Sequence, residues 1–306
     1  MKISLVGVGR VGSTLAYTLL FRGLGDELVL LDRNREVAIG ETLDLQHAEG
    51  FIGHPMVVRP GEVNDTKDSD IIVVSCSVPW NQDYTSRYDM GYDNLRLFRE
   101  IIPPLAQASP DAKMLVITNP VDVMTYHAIK LTGFRPERVF GTGTLIDSAR
   151  FRTMMSARMG IHPDDVRAYI LGEHGDTQFP LFSMAMAGGS RILEDEVSQE
   201  IFREASCAGF DVVHRKGHTN YAISMAAALV IEAIVWDTRR TMPLSVLVDG
   251  FLDVHDVCLS LPVVMGKDGI TQVLGPDLGE DEIRAFRQCA AIVRQSIERS
   301  LGTAPS

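Results

Sequence analysis

Apolar residues recur in short runs near residues 2 to 7, 27 to 32, 56 to 59, 71 to 75, 113 to 118 and 138 to 140. Between most of these runs the apolar positions switch to helical spacing. Strand-like and helical periods in alternation predict a parallel sheet with helices on both faces, so roughly the first 140 residues read as one doubly wound α/β unit. Beyond Gly141-Thr142-Gly143 the pattern changes. A helix is expected from about Leu145 to Met159, a strand around Arg167 to Leu171, and long helices near 195 to 214 and 220 to 238. Strand-like stretches follow at 245 to 250, 257 to 265 and 270 to 274. A last helix starts at Gly279-Glu280-Asp281-Glu282 and repeats Ile283, Phe286, Ala290, Val293 and Ile297 at helical spacing. The chain therefore divides into residues 1–142 and a mixed α+β part, 143–306, with Gly302 to Ser306 as a loose tail.

The first chemistry lies where the first strand meets the first helix. The run Met1-Lys2-Ile3-Ser4-Leu5-Val6 is followed directly by Gly7-Val8-Gly9-Arg10-Val11-Gly12 and then by the helical pattern Ser13 to Leu20. Gly7 permits a tight turn, Gly9 lets a pyrophosphate approach the backbone, and Gly12 lets helix and strand lie close, with the helix N-terminus facing the anion. Arg10 and Val11 belong to the same binding turn. A second apolar run, Glu27 to Leu31, ends at Asp32. A carboxylate there accepts both ribose hydroxyls of an adenosine and repels a 2′-phosphate, which predicts NAD as the cofactor rather than NADP.

Charge narrows the partners. The formal net charge is -11, and nucleic-acid binding, which needs clustered Lys and Arg, is not expected. Any cation that holds an anionic substrate must be local. Cys76, Cys207, Cys258 and Cys289 form no CxxC pair, so neither a disulfide framework nor a metal site is suggested. Met1 leads straight into a strand with no leader pattern, and no run of about 20 apolar residues occurs. A cytoplasmic protein with no membrane span is the expectation.

Three segments could carry a reaction. Asp147-Ser148-Ala149-Arg150 puts a carboxylate and a guanidinium on one helix face, which fits a surface ion pair worth about 0–1 kcal/mol as well as a functional couple. Gly172-Glu173-His174-Gly175-Asp176 follows a strand and leaves His174 open between glycines. An imidazole steadied by a carboxylate is a competent acid or base near neutral pH. The polar stretch Pro79 to Met90 is either an exposed loop or a lid that brings Arg87 to a carbonyl and shuts out water. Thr118-Asn119-Pro120-Val121-Asp122 ends another strand at the edge where ligands collect.

Together these blocks, with Leu145 to Arg152 and Lys216-Gly217-His218-Thr219, resemble the NAD-dependent L-lactate and malate dehydrogenase family across essentially the whole chain. The resemblance implies a Rossmann doubly wound domain, a second substrate domain, and a homodimer or homotetramer. It makes His174 the proton donor and acceptor, Asp147 its partner, Arg150 the grip on the substrate carboxylate, and Arg87 the polariser of the C2 oxygen. Asn119 would bond near the nicotinamide and that same oxygen, and Thr219 would line the pocket.

Substrate choice in the family turns on a lid residue that is Gln in lactate enzymes and Arg in malate enzymes. Here gapless alignment gives Asn81, and a shift of one gives Gln82. No arginine precedes Arg87 in the lid, so a dicarboxylate would leave a charge unpaired at a cost of several kcal/mol. A monocarboxylic 2-oxo acid such as pyruvate, or a bulkier relative, is expected. Malate dehydrogenase or a broader L-2-hydroxy-acid dehydrogenase is the alternative. The fold is shared by metal-dependent glycosidases, whose Cys and His ligands have no counterpart beside this turn, and a non-catalytic NAD sensor would not need Asp147, Arg150 and His174. Arg152 and Arg167 match positions that bind a sugar bisphosphate in allosteric bacterial relatives, although ordinary ion pairs would explain them equally.

Overall fold

The computed structural model describes residues 1–79 and 89–302. In the first half, β1 (Lys2–Val6), α1 (Arg10–Arg22), β2 (Glu27–Leu31), α2 (Arg35–Glu49) and β3 (Val57–Pro60) are followed by β4 (Ile71–Val74), α3 (Asp89–Ala108), β5 (Lys113–Val116), α4 (Val121–Thr132) and β6 (Val139–Gly141). The six strands lie in the order β3-β2-β1-β4-β5-β6, all parallel. The order reverses between β1 and β4, whose ends Val6 and Val74 stand side by side. Crevices at such switch points are where nucleotides bind. Strands β1, β2, β4 and β5 are buried almost throughout, as a parallel sheet covered on both faces requires. This is the α/β doubly wound architecture that the alternating pattern predicts.

The second half begins with α5 (Leu145–Met159) and five two-residue strands: β7 (Val166–Arg167), β8 (Ile170–Leu171), β9 (Phe179–Pro180), β10 (Met186–Ala187) and β11 (Ser190–Arg191). It continues with α6 (Glu196–Lys216), α7 (Tyr221–Val235), β12 (Arg240–Asp249), β13 (His255–Gly266), β14 (Gly269–Val273) and α8 (Glu280–Ser300). The strand expected over Arg167 to Leu171 is two pieces, because β7 pairs with β10 and β8 pairs with β9. Helix α7 stops short of residue 238, where Asp237 and Arg239 take positive φ. Strands β12 to β14 run antiparallel and extend the first sheet beyond β6, through Ser245 opposite Gly141.

Helix α7 is apolar nearly all round, as expected of a central helix, with Ala227, Val230, Ile231 and Ile234 buried. It packs on α1 and grips it by polar contacts: Ser224 Oγ donates to the Val11 carbonyl (3.0 Å), and Asn220 Nδ2 donates to Thr14 Oγ1 (2.8 Å). The glycine turn and the second half are thereby held in one frame.

Candidate active site

The turn after β1 behaves as its glycines require. Gly7 has φ +94°, and a Cβ there would lie 2.5 Å from the Cys76 backbone nitrogen. A Cβ on Gly12 would collide with the Gly7 carbonyl oxygen, so helix and strand can meet only at glycine. Around Gly9, by contrast, nothing lies within 4 Å of such a Cβ. Gly9 also starts α1 without a side-chain cap, so the first-turn N–H groups point to where an anion would sit. Asp32 stands at the end of β2, its Oδ2 accepting from the Val8 N–H (3.1 Å) and its Oδ1 from the Asn34 N–H (2.9 Å). An open strip over Gly9, bare helix donors and an anchored carboxylate fit a dinucleotide. Arg10 is exposed at the helix start, and Val11 faces the adjoining cleft.

That cleft holds about 380 Å³ and is lined by Val11, Thr118, Asn119, Asp147, Arg150, His174 and Thr219 among others. Five sequence segments that lie far apart along the chain thus converge on one space. Arg87, Asn81 and Gln82 lie outside the described residues.

Helix α5 supplies Asp147 and Arg150, one turn apart, with Arg150 Nη1 3.0 Å from Asp147 Oδ1. Only 2% of the Asp147 side chain and 19% of the Arg150 side chain are exposed, so this is no surface ion pair. His174 follows β8, where Gly172 takes φ +87° and bridges to Ser260 on β13. Its Nδ1 lies 2.6 Å from Asp147 Oδ2. Burial works against the charge on Asp147, yet the His174 ring and the Arg150 guanidinium outweigh it and hold the carboxyl below its usual range. An ionised carboxylate accepts only, so Nδ1 carries the hydrogen and the tautomer is fixed.

Three contributors escaped the sequence reading. Asn94 on α3 is fully buried. Its Nδ2 donates to the Asn119 carbonyl (2.8 Å) and its Oδ1 accepts from the Val78 N–H (2.8 Å), pinning two strand-end loops together. Gly209 on α6 faces Arg150, whose Nη1 would be 3.2 Å from an added Cβ. Ser206, Gly209 and Val213 all line the cleft, a helical spacing that could have exposed this face. Asp122, quoted only as part of a strand-end motif, touches His174 directly. Outside the cleft, Arg152 is half-buried, and its Nε has no partner among the described residues. Burial lowers its guanidinium pKa, and Arg240 and Arg167 add to that against Tyr169 and Asp164.

A doubly wound sheet with an open glycine turn, beside a cleft where a carboxylate-held imidazole meets a guanidinium, defines a dehydrogenase-type nucleotide enzyme. Residues 1–141 match the lactate/malate dehydrogenase NAD binding domain, and residues 144–303 match the α/β C-terminal domain of the same enzymes. The chain belongs to the lactate/malate dehydrogenase family. It is 38% identical to an L-lactate dehydrogenase of Synechococcus sp. over 97% of this chain and 99% of that one. It is 39% identical to L-lactate dehydrogenase B of Hordeum vulgare, over 94% and 88% of the two chains. A solved lactate dehydrogenase from a Medee basin deep-sea metagenome library superposes with a TM-score of 0.94 at 33% identity, covering 98% of each chain.

Proposed function

We propose that this chain is an NAD-dependent L-2-hydroxy-acid dehydrogenase that interconverts L-lactate and pyruvate. The observation that carries the reading is the buried Asp147 carboxylate holding His174 and Arg150 at once, on the wall of a cleft that adjoins the glycine turn. The names of the relatives support the substrate. Residues 1–142 act as the dinucleotide domain and 143–306 as the substrate domain. The backbone of Gly7, Gly9, Arg10, Val11 and Gly12 would cradle NAD, with Asp32 on its ribose, and the cofactor supplies the hydride to C2.

The chain's own residues do the rest. Arg150 takes the substrate carboxylate in two parallel hydrogen bonds. Asp147, bonded to one guanidinium nitrogen and to Nδ1, orients both groups, so His174 Nε2 is the atom that gives a proton to the C2 oxygen and takes it back from lactate. Negative charge grows on that oxygen, where imidazolium, Asn119 and Arg87 stabilise it. Thr219 bounds the pocket, and Asn81 or Gln82, at the lid position on which substrate choice turns, offers no charge to pair a second carboxylate. A local guanidinium, that of Arg150, set against the substrate carboxylate explains how a chain of net charge -11 holds an anion.

The test is NADH oxidation with pyruvate, oxaloacetate, 2-oxobutyrate, 2-oxoisocaproate and phenylpyruvate. Pyruvate or another monocarboxylate should give the largest kcat/KM; a lead for oxaloacetate would make the enzyme a malate dehydrogenase. We also infer a homo-oligomer, because Tyr17 and Phe21 on α1 and Met225 on α7 are more than half exposed, and Met225 lines a groove with Leu145, Ala226 and Leu229. A cytoplasmic location fits the free thiols of Cys76, Cys207, Cys258 and Cys289, and no described helix is long and apolar enough to cross a membrane. A sugar-bisphosphate site at Arg152 and Arg167 draws support from the three neighbouring guanidinium groups; an apparent pyruvate KM indifferent to fructose 1,6-bisphosphate would retire it.

A further inference from the structure

His174 has a second carboxylate. Asp122 sits in the first turn of α4, three residues after Asn119, and only 3% of it is exposed. Its Oδ2 accepts the main-chain N–H of His174 at 2.7 Å, and its Oδ1 accepts the hydroxyl of Ser245 at 2.6 Å. Ser245 is itself fully buried on β12, opposite Gly141 at the end of β6. Gly172, two residues before His174, is tied to Ser260 on β13 by a pair of backbone bonds, 3.1 and 2.7 Å long. The loop that carries the acid–base ring is therefore pinned twice, and the second pin is an ionisable side chain from the other half of the molecule.

A buried acceptor for one N–H and one O–H does not need to be an acid. An asparagine could accept the N–H on its carbonyl and donate its amide to the Ser245 oxygen, at far less desolvation cost. The groups that face Asp122 are Ser245, the His174 peptide and ring, Glu173, and the thiols of Cys258 and Cys289. The Ser245 hydroxyl and the His174 peptide N–H favour the ionised carboxyl as hydrogen-bond donors, but of these groups only the protonated ring of His174 brings a positive charge, since Glu173 opposes ionisation and the thiols are neutral.

We propose that Asp122 is a positioning residue for the acid–base histidine: it fixes the His174 main chain from the helix that follows Asn119, and its charge favours the imidazolium that pyruvate reduction consumes. The proposal rests on the lactate dehydrogenase reading for its assay. The consequence is that the Asn119 loop and the His174 loop, which must meet the same substrate oxygen, move as one unit. Ser245 holds the other carboxylate oxygen, leaving Oδ2 for the His174 peptide, and supports the ionised form.

The test compares Asp122→Asn and Ser245→Ala with wild type in the full-length protein. In Asp122→Asn the new amide can donate to Ser245 and still accept from His174, so the main-chain tether survives and the charge is removed. We expect kcat for pyruvate reduction to fall about tenfold, with KM for pyruvate and Kd for NADH changed less than about threefold. The high-pH limb of kcat should move to lower pH by about half a unit or more, because the imidazolium loses a stabilising charge. Ser245→Ala should shift the limb in the same direction by less. Titration of the His174 imidazole by NMR in the cofactor-free protein must show the same ordering. That readout needs no turnover, so a wild-type enzyme inactive on pyruvate would sink the substrate assignment and leave this inference to the ring titration. Unmoved ring titration and kcat within twofold of wild type in both variants would overturn it. So would loss of thermal stability with no change of the pH limb, the signature of a merely structural residue. If Asp122→Asn does not fold, the Ser245→Ala titration decides alone.

Discussion

Asp147 and Asp122 are both buried, both lie at the start of a helix, and both end on His174, one on the ring and the other on the peptide. Their acidities nevertheless move apart. Burial opposes ionisation at each, but Asp147 faces a ring that becomes cationic and a guanidinium 3.0 Å away, and is held below the usual carboxylate range. Asp122 has a hydroxyl and a peptide N–H as its bonded partners, and burial pushes it up to about 7 in spite of them. Burial alone therefore does not decide the charge of a carboxyl in this cleft; the charge of the atom it faces does. The arrangement gives the imidazole one permanent counter-ion and one that is conditional on pH.

The comparison breaks first at the ring. Replacing His174 by Ala removes the proton donor and should lower kcat by a thousandfold or more, to about the level left by binding alone, while NADH binding followed by fluorescence stays within about twofold. Asp147→Asn should cost roughly 10²–10³ in kcat at neutral pH, far more than the loss expected for Asp122→Asn, because the ring loses both its tautomer control and its permanent counter-ion. Equal losses in the two Asp→Asn variants would erase the distinction between the carboxylates. Catalysis unchanged in His174→Ala would remove the mechanism altogether.

Arg150 sharpens the contrast from the other side of Asp147. Lysine keeps the charge but loses the planar fork, so Arg150→Lys should raise KM for pyruvate by about 10–100-fold with a smaller change in kcat. The helix opposite is matched to it: a Cβ on Gly209 would stand 3.2 Å from Nη1, so a larger residue there would crowd the guanidinium. A kcat loss larger than the KM rise, seen in steady-state assays, would mean that Arg150 acts mainly through Asp147 and not on the substrate.

How much of this was legible beforehand follows from what each residue needs. The strands of the first half and α5 were readable because periodicity within one segment determines them, and the Gly7–Gly12 turn because its demands are met by consecutive residues, whereas β12 begins at Arg240, five residues before the stretch expected from 245. The Asp147–Arg150 couple was visible as a spacing, but its burial was not. Whether that face meets solvent or α6 depends on packing between segments some sixty residues apart along the chain. Asn94, Gly209 and Ser245 were hidden for the same reason, each being ordinary in its own helix or strand and functional only through a residue elsewhere. The split of Arg167 to Leu171 into two strands was likewise settled by partners and not by propensity.

The smallest effect concerns stability, and it sets Asp122 against another buried group on the same helix. His127, five residues along α4, lies against Ser300 at 2.7 Å, and burial, with Arg99 adding to it, lowers its pKa to about 4. Unfolded, the ring protonates near 6.5 while the native ring does not, so between pH 6.5 and 4 the unfolded chain binds the extra proton and native stability is lost as pH falls. Asp122 does the reverse. Its folded pKa of about 7 lies above the ordinary value of 3.8, so the native chain binds the extra proton over that interval and stability is lost as pH rises. From pH 4 to 6.5 the two slopes oppose each other, and wild-type Tm should change little on their account. Asp122→Asn should unmask the histidine, making Tm climb with pH across that window by a few degrees more than in wild type. His127→Gln should unmask the carboxyl and tilt the curve the other way. Scanning calorimetry of the two variants at pH 4, 5 and 6.5 measures both slopes, and parallel curves for all three proteins would show that neither group changes its protonation between the native and unfolded chains.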